Sequence, residues 1–225
     1  MLNYEIDPTI LAADVPPGTE LDFYNGTTFV SMVGFMFLGT KVLGLSIPFH
    51  RNFEEINLRF YVRREGADGI RRGVSFIKEI VPRRAIAAIA RVRYNEKYVG
   101  LPMRHRIDIT AAGSPTEVEY SWRFLGRWNR LGLTVTGDAQ KMASGSLDEF
   151  IAEHYWGYTS QRDGGCMEYR VEHPQWRIWN VDRAWLDCDV AGFYGERFEA
   201  VLSAKPVSAF LAEGSGVAVY KGARL

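Results

Sequence analysis

Phe53-Glu54-Glu55-Ile56-Asn57-Leu58-Arg59-Phe60-Tyr61-Val62-Arg63 alternates cleanly from Glu55 onward. Ile56, Leu58, Phe60 and Val62 fall on one side, and Asn57, Arg59, Tyr61 and Arg63 on the other. A side-chain period of two is the signature of a β-strand. The polar side of such a strand lines the interior if the sheet closes into a barrel, and meets water if it stays open. Downstream, Gly73 to Val81 reads as a second strand, with Val74, Phe76, Lys78 and Ile80 on a common face. Upstream, Asn25-Gly26 marks a tight turn before Thr27 to Leu38, a mostly apolar run that suits a strand buried on both faces.

The opening residues, through Pro16-Pro17-Gly18, read as an extended arm ending in a turn. Pro82 fits a first helical position, and Arg83 to Tyr94 is rich in good helix formers. Alternation returns in Arg104 to Ile109. A turn at Ala112-Gly113-Ser114-Pro115 leads into Glu117 to Phe124, which predicts a hairpin. Leu131 to Thr136 is a further strand. Ser146-Leu147-Asp148-Glu149 is a capping box that starts a helix expected to run to about Tyr158. Strands are expected around Met167 to Val171, Phe198 to Ser203 and Gly216 to Tyr220. Many strands with two helices, uninterrupted by any linker, predict one mostly-β (α+β) domain over residues 1–225.

The 27 basic and 27 acidic side chains cancel, so no net field draws the chain to nucleic acid or anionic lipid. Cys166 and Cys188 stand alone, without the spacing of a metal site, and suit a reducing compartment. Met1-Leu2-Asn3-Tyr4-Glu5 lacks a basic start and an apolar block, and Phe29 to Leu38 is too short to span a bilayer. A cytoplasmic protein with no nucleic-acid or membrane partner is the expectation. Self-association is expected from the edges a large curved sheet leaves to cover, with the subunit number left open.

Several blocks in order carry a resemblance. They are Phe53 to Arg63, Arg72-Gly73-Val74-Ser75-Phe76, Tyr98-Val99-Gly100-Leu101-Pro102-Met103-Arg104-His105, Ser146 to Phe150, and His173-Pro174-Gln175-Trp176. Together they resemble the uncharacterised bacterial YqjF-like family, within the acetoacetate decarboxylase-like superfamily. The resemblance implies a large, strongly curved antiparallel sheet closing like a barrel around a cavity, with a few peripheral helices. In acetoacetate decarboxylases the Gly-aromatic-Pro segment is followed by two lysines. Here Met103 and Arg104 stand there, and a thioether cannot form an imine. The decarboxylase mechanism is therefore not expected, no cofactor is implied, and whether the chain is an enzyme stays open.

The expected ligand is a small anionic or polar metabolite. Arg104 and Arg59 are the candidate anion ligands, since guanidinium forks match carboxylates. Asn57 shares the polar face, while Tyr61, Tyr98, Met103 and Trp176 shape the walls. His173 is the candidate proton carrier, aimed by the proline that follows it. Lys78, on an otherwise apolar face, is a second catalytic candidate through desolvation; its plainer reading is a lysine snorkelling to solvent. Lys97 shares that pair of readings. His50, His105 and His154 form no ligand pair, so no metal is expected. The rival to a ligand cavity is a non-catalytic interaction protein whose barrel is filled by its own side chains.

Overall fold

The computed structural model describes residues 1–39, 41–42, 45–46, 52–82 and 98–225. The helix expected over 83–94, and His50 and Lys97, lie outside the described residues. In chain order the first strands are β1 (Leu2–Ile6), β2 (Glu20–Leu21), β3 (Thr28–Phe37), β4 (Lys41–Val42) and β5 (Leu45–Ser46). The long hairpin β6 (Phe53–Gly66) and β7 (Gly69–Val81) follows, then β8 (Tyr98–Gly100) and β9 (Met103–Ile109). Next come β10 (Pro115–Phe124), β11 (Arg127–Lys141), β12 (Trp156–Ser160), β13 (Cys166–Glu172) and β14 (Arg177–Asp187). The chain ends with β15 (Ser208–Ala212), β16 (Ala218–Val219) and β17 (Ala223–Arg224). Short helices α1 (Pro8–Leu11), α2 (Leu147–Ala152), α3 (Val190–Tyr194) and α4 (Glu199–Leu202) lie between them.

One 15-stranded sheet runs β16-β13-β12-β7-β6-β3-β1-β15-β14-β11-β10-β9, with β2, β8 and β17 attached beside it. It is mostly antiparallel, but β12 and β8 both join β7 in parallel. The end strands β16 and β9 do not pair, so among the described residues the sheet is open and the expected barrel closure is absent. It bends back on itself instead. Leu58, Phe60 and Ile80 from one half share a continuous core with Val118, Tyr120, Trp122, Leu131 and Leu133 from the other. A second cluster (Phe29, Tyr61, Val74, Phe76, Phe150, Ile151, Ile178, Phe210) fills the space beneath α2.

The predicted hairpin of β9 and β10 forms, with a bulge at Pro115/Glu117. Ser146 caps α2 by accepting from the amide of Glu149 at 3.2 Å. That helix stops at Ala152, not Tyr158. Trp156 and Gly157 pair with Gly73 and Val74, and the strand geometry of β12 overrides helix propensity there. Phe198 to Ser203 is helical where a strand was expected: Phe198 and Leu202, four apart, are both buried and set a helical period. The opening arm is a central strand, since β1 lies between β3 and β15.

The alternation of β7 also breaks. Phe76 faces Arg59 and Lys78 faces Leu58, so Ile77 is the extra residue of a bulge. Val74 and Phe76 therefore join the cluster beneath α2, while Ile80 joins the main core and Lys78, opposite Leu58, shares its face.

Candidate functional site

Antiparallel partners share a face, so the register of β9, β10, β11 and β14 builds the outer surface of that half-sheet row by row. One row reads Arg104, Ser121, Arg130, Asp187; the next reads Arg106, Glu119, Gly132, Trp185. The small residues at the centre leave a depression of about 460 Å³ lined by Arg104, His105, Arg106, Glu119, Ser121 and Arg130. Gly132 is required there. A Cβ at that position would lie 2.3 Å from the Trp185 ring, whose indole N–H donates to Glu119 Oε2 at 3.1 Å. Arg130 and Arg127 are tied to Asp187 at 2.8 and 2.5 Å, and Arg106 is tied to Glu117. Arg104 differs: its guanidinium stacks on Trp128, 4.2 Å from the ring centroid, and no carboxylate among the described residues pairs with it. Stacking holds the plane of the fork while leaving its N–H edge available.

Arg59 does not join Arg104. It lies on the other half-sheet, donates to the Ile151 carbonyl at 3.0 Å and stands over the Tyr61 ring. Tyr61 is buried, its hydroxyl 2.6 Å from Ser31 Oγ, which donates in turn to Asn3 Oδ1 at 2.7 Å. Asn57, also buried, donates to Glu55 Oε1 at 3.1 Å. Arg59 and Tyr61 on this face lie beneath α2, against Ile151 and Phe150, while Asn57 is buried beside Glu55 with its Oδ1 lacking a hydrogen-bond partner among the described residues. Met103 packs against the main core, and Tyr98 packs against Phe53 and Val81.

Lys78 is carried by the bulge onto the inner side, where its ammonium donates to the Phe193 carbonyl and lies 4.3 Å from the Phe193 ring centroid. Burial holds its pKa below the ordinary lysine value. Because that charge costs desolvation, Lys78→Met is expected to leave stability within about 1.5 kcal/mol of the native chain, as volume-conserving core swaps do. Thermal denaturation of the variant checks this. His173 and Trp176 do meet, stacked at 4.0 Å and 14°, with Tyr155 on the other side of the imidazole at 5.0 Å. His173 Nδ1 lies 3.0 Å from its neighbour's carbonyl at Pro174, and the Trp176 indole donates to Ser215. These rings are remote in contacts from Arg104.

A second constellation was not singled out in the sequence. His154 is buried with its Nε2 3.5 Å from Asp22 Oδ2, and Asp22 accepts from Arg72 Nε at 2.6 Å. Burial pushes the His154 pKa down to about 4, with Arg72 and Arg59 adding to the fall against the opposing pull of Asp22. Burial raises Asp22, but His154 and Arg72 outweigh it and leave the carboxyl below its usual value. Above this trio, Asp22, Phe23, Tyr24, Ile70, Arg72, Glu149, Phe150 and Glu153 line most of a groove of about 640 Å³. The signal was the block Arg72-Gly73-Val74, whose arginine holds Asp22.

With the curved open sheet and its surface sites described, comparison with known proteins places the chain. A family model described as an uncharacterized conserved protein, DUF2071, matches residues 1–216. The chain belongs to the DUF2071 family. It is 29% identical over 183 residues to the uncharacterized protein YqjF of Bacillus subtilis (strain 168), covering 80% of this chain and 72% of that one. Among solved structures it resembles the enduracididine biosynthesis enzyme MppR with HEPES buffer bound, at a TM-score of 0.65 and 14% identity, over 100% of this chain and 84% of that one. It also resembles an acetoacetate decarboxylase-like enzyme from Sphingomonas wittichii RW1, at 0.59 and 16%, over 100% and 88%. These likenesses establish the acetoacetate decarboxylase-like fold of this DUF2071 member. No described helix of the DUF2071 chain is long and apolar enough to cross a membrane.

Proposed function

We propose that this DUF2071 protein binds a small carboxylate- or phosphate-bearing metabolite, with Arg104 as the principal ligand. The observation that carries the reading is the stacked, carboxylate-free guanidinium of Arg104 at the edge of a depression shared with Arg106, Arg130 and the buried Ser121. Arg106 and Arg130 in the lining keep Glu117 and Asp187 as partners, and Glu119 is engaged by the Trp185 indole, so Arg104 is the guanidinium of the lining with no carboxylate among the described residues. Its open fork favours a bidentate oxyanion. In this proposal Met103 supplies no amine, so the metabolite is held without an imine. The MppR structure complexed with pyruvate makes pyruvate one sensible probe among small acids.

A thermal-shift screen with carboxylates, keto acids and phosphorylated metabolites tests it. A ligand at about a hundred times its dissociation constant adds about 2.7 kcal/mol, on the order of 5 °C in a chain of this length. The shift is expected with the native protein and lost in Arg104→Ala. A shift that survives Arg104→Ala places the ligand elsewhere and overturns the assignment.

A further inference from the structure

The turn joining β10 to β11 contains only Leu125 and Gly126, between the paired residues Phe124 and Arg127. Both have positive φ, 45° and 83°, which is the pattern of a type I′ turn. Asn, Asp or Gly suits the first position, because an L side chain with a Cβ is strained there. Leucine is a poor choice, and burial does not offset it: Leu125 is 86% exposed. An apolar side chain held in a strained conformation and pointed at solvent breaks two local rules at once, the usual mark of a functional position. Arg123 and Arg127 flank it; Arg127 pairs with Asp187, whereas Arg123 donates to the Gly126 carbonyl at 3.3 Å and has no carboxylate partner among the described residues.

The chain also carries a complementary socket. The groove near α2 exposes Phe23 (44%) and Ile70 (65%) beside Tyr24 and Phe150. Glu149 and Glu153 line it. Arg63 and Arg72, also in the lining, are taken up by Glu20 and Asp22. Glu149 is held by the Gly145 amide and the Gln175 side chain, and Glu153 by the Tyr155 hydroxyl, so neither has a cationic partner among the described residues. An apolar knob with an unpaired arginine thus faces, on another part of the same surface, an apolar groove with unpaired carboxylates.

We propose that the Leu125 hairpin tip of one copy docks in the Phe23–Ile70 groove of a second copy, with Arg123 against Glu149 and Glu153. Knob and groove are different surfaces, so the contact is heterologous and assembles copies head to tail. The ordinary leucine strain is then offset only in the assembly.

Sedimentation velocity across a concentration series tests this on the full chain. Native protein is expected to exceed its monomer mass of 25.5 kDa. Leu125→Asn, which suits the turn, and Ile70→Ser, on the exposed hairpin, are each expected to be folded and monomeric. Leu125→Asn should also melt higher than the native monomer, since asparagine tolerates the left-handed conformation that strains leucine. Mixing the two variants leaves one intact knob and one intact groove, and should restore pairs that grow no further. Native protein that stays monomeric throughout, or assemblies indifferent to Leu125→Asn, would overturn the proposal. So would binding of the monomer to anionic phospholipid vesicles that Leu125→Asn abolishes, which would assign the knob to a lipid surface.

Discussion

Between pH 6.5 and pH 4 the native chain is expected to lose about 3 kcal/mol more stability than a His154→Gln variant loses over the same interval. The unfolded histidine titrates near 6.5, while burial pulls the folded one down to about 4. In that window the unfolded state binds a proton that the folded state refuses, so the histidine's contribution falls as the pH falls and is complete above 6.5; the buried Met1 amino group, lowered to about 5 from 8.0, adds a loss of the same sign that begins at higher pH and is common to both proteins. Each pH unit of difference is worth 1.36 kcal/mol. Asp22 acts in a different window. Its carboxyl is held below its ordinary 3.8, so its contribution is intact above that value and lost only as the pH drops further. Urea denaturation at a series of pH values separates the two. A flat native profile between 4 and 6.5 would refute the reading of His154 as a buried neutral imidazole.

Gly73→Ala should cost about 3 kcal/mol, at the upper end for overpacking. A Cβ at residue 73 would meet the Trp156 carbonyl oxygen at 2.6 Å and the Tyr158 ring at 2.7 Å. The first of these is backbone and cannot swing aside. It belongs to β12, whose parallel pairing to β7 rests on Trp156 against Gly73 and Gly157 against Val74. The variant therefore has to give up that junction or distort β7 beside Arg72, the partner of Asp22. Hydrogen exchange should show protection lost first in Trp156–Ser160, with β10 and β11 little changed. Full protection of β12 in the variant would contradict this.

How far the sequence reveals the molecule depends on where side-chain periodicity is intact. β6 is read correctly because its core residues alternate without a break from Ile56 to Val62, and the start of α2 because Ser146 caps it; Glu149 reaches back one residue further than expected, to the Gly145 amide. No strand was expected over β14, whose outward Trp185 lies over Gly132 of β11, a neighbour that only the fold supplies. Arg59 and Arg104 lie apart for a topological reason. Both lie on polar strand faces, but β6 and β9 belong to opposite halves of a bent sheet, and nothing local says which polar face is covered by a helix. His154 was passed over because its partner Asp22 is far away in sequence and joined to it only through the fold.

The bulge at Ile77 has a consequence beyond local geometry. Had β7 run on in unbroken step from Phe76, Lys78 would stand opposite Asn57, and Glu79 would stand opposite Ile56 in the apolar core. The extra residue reverses that assignment: Glu79 lies opposite Asn57, next to Glu55, and Lys78 lies among aromatic rings on the far side. Both carboxylates and the amide are thereby gathered on one surface. A single inserted residue acts as a parity switch, and the charge carried by each wall of the sheet is decided by counting, with composition unchanged.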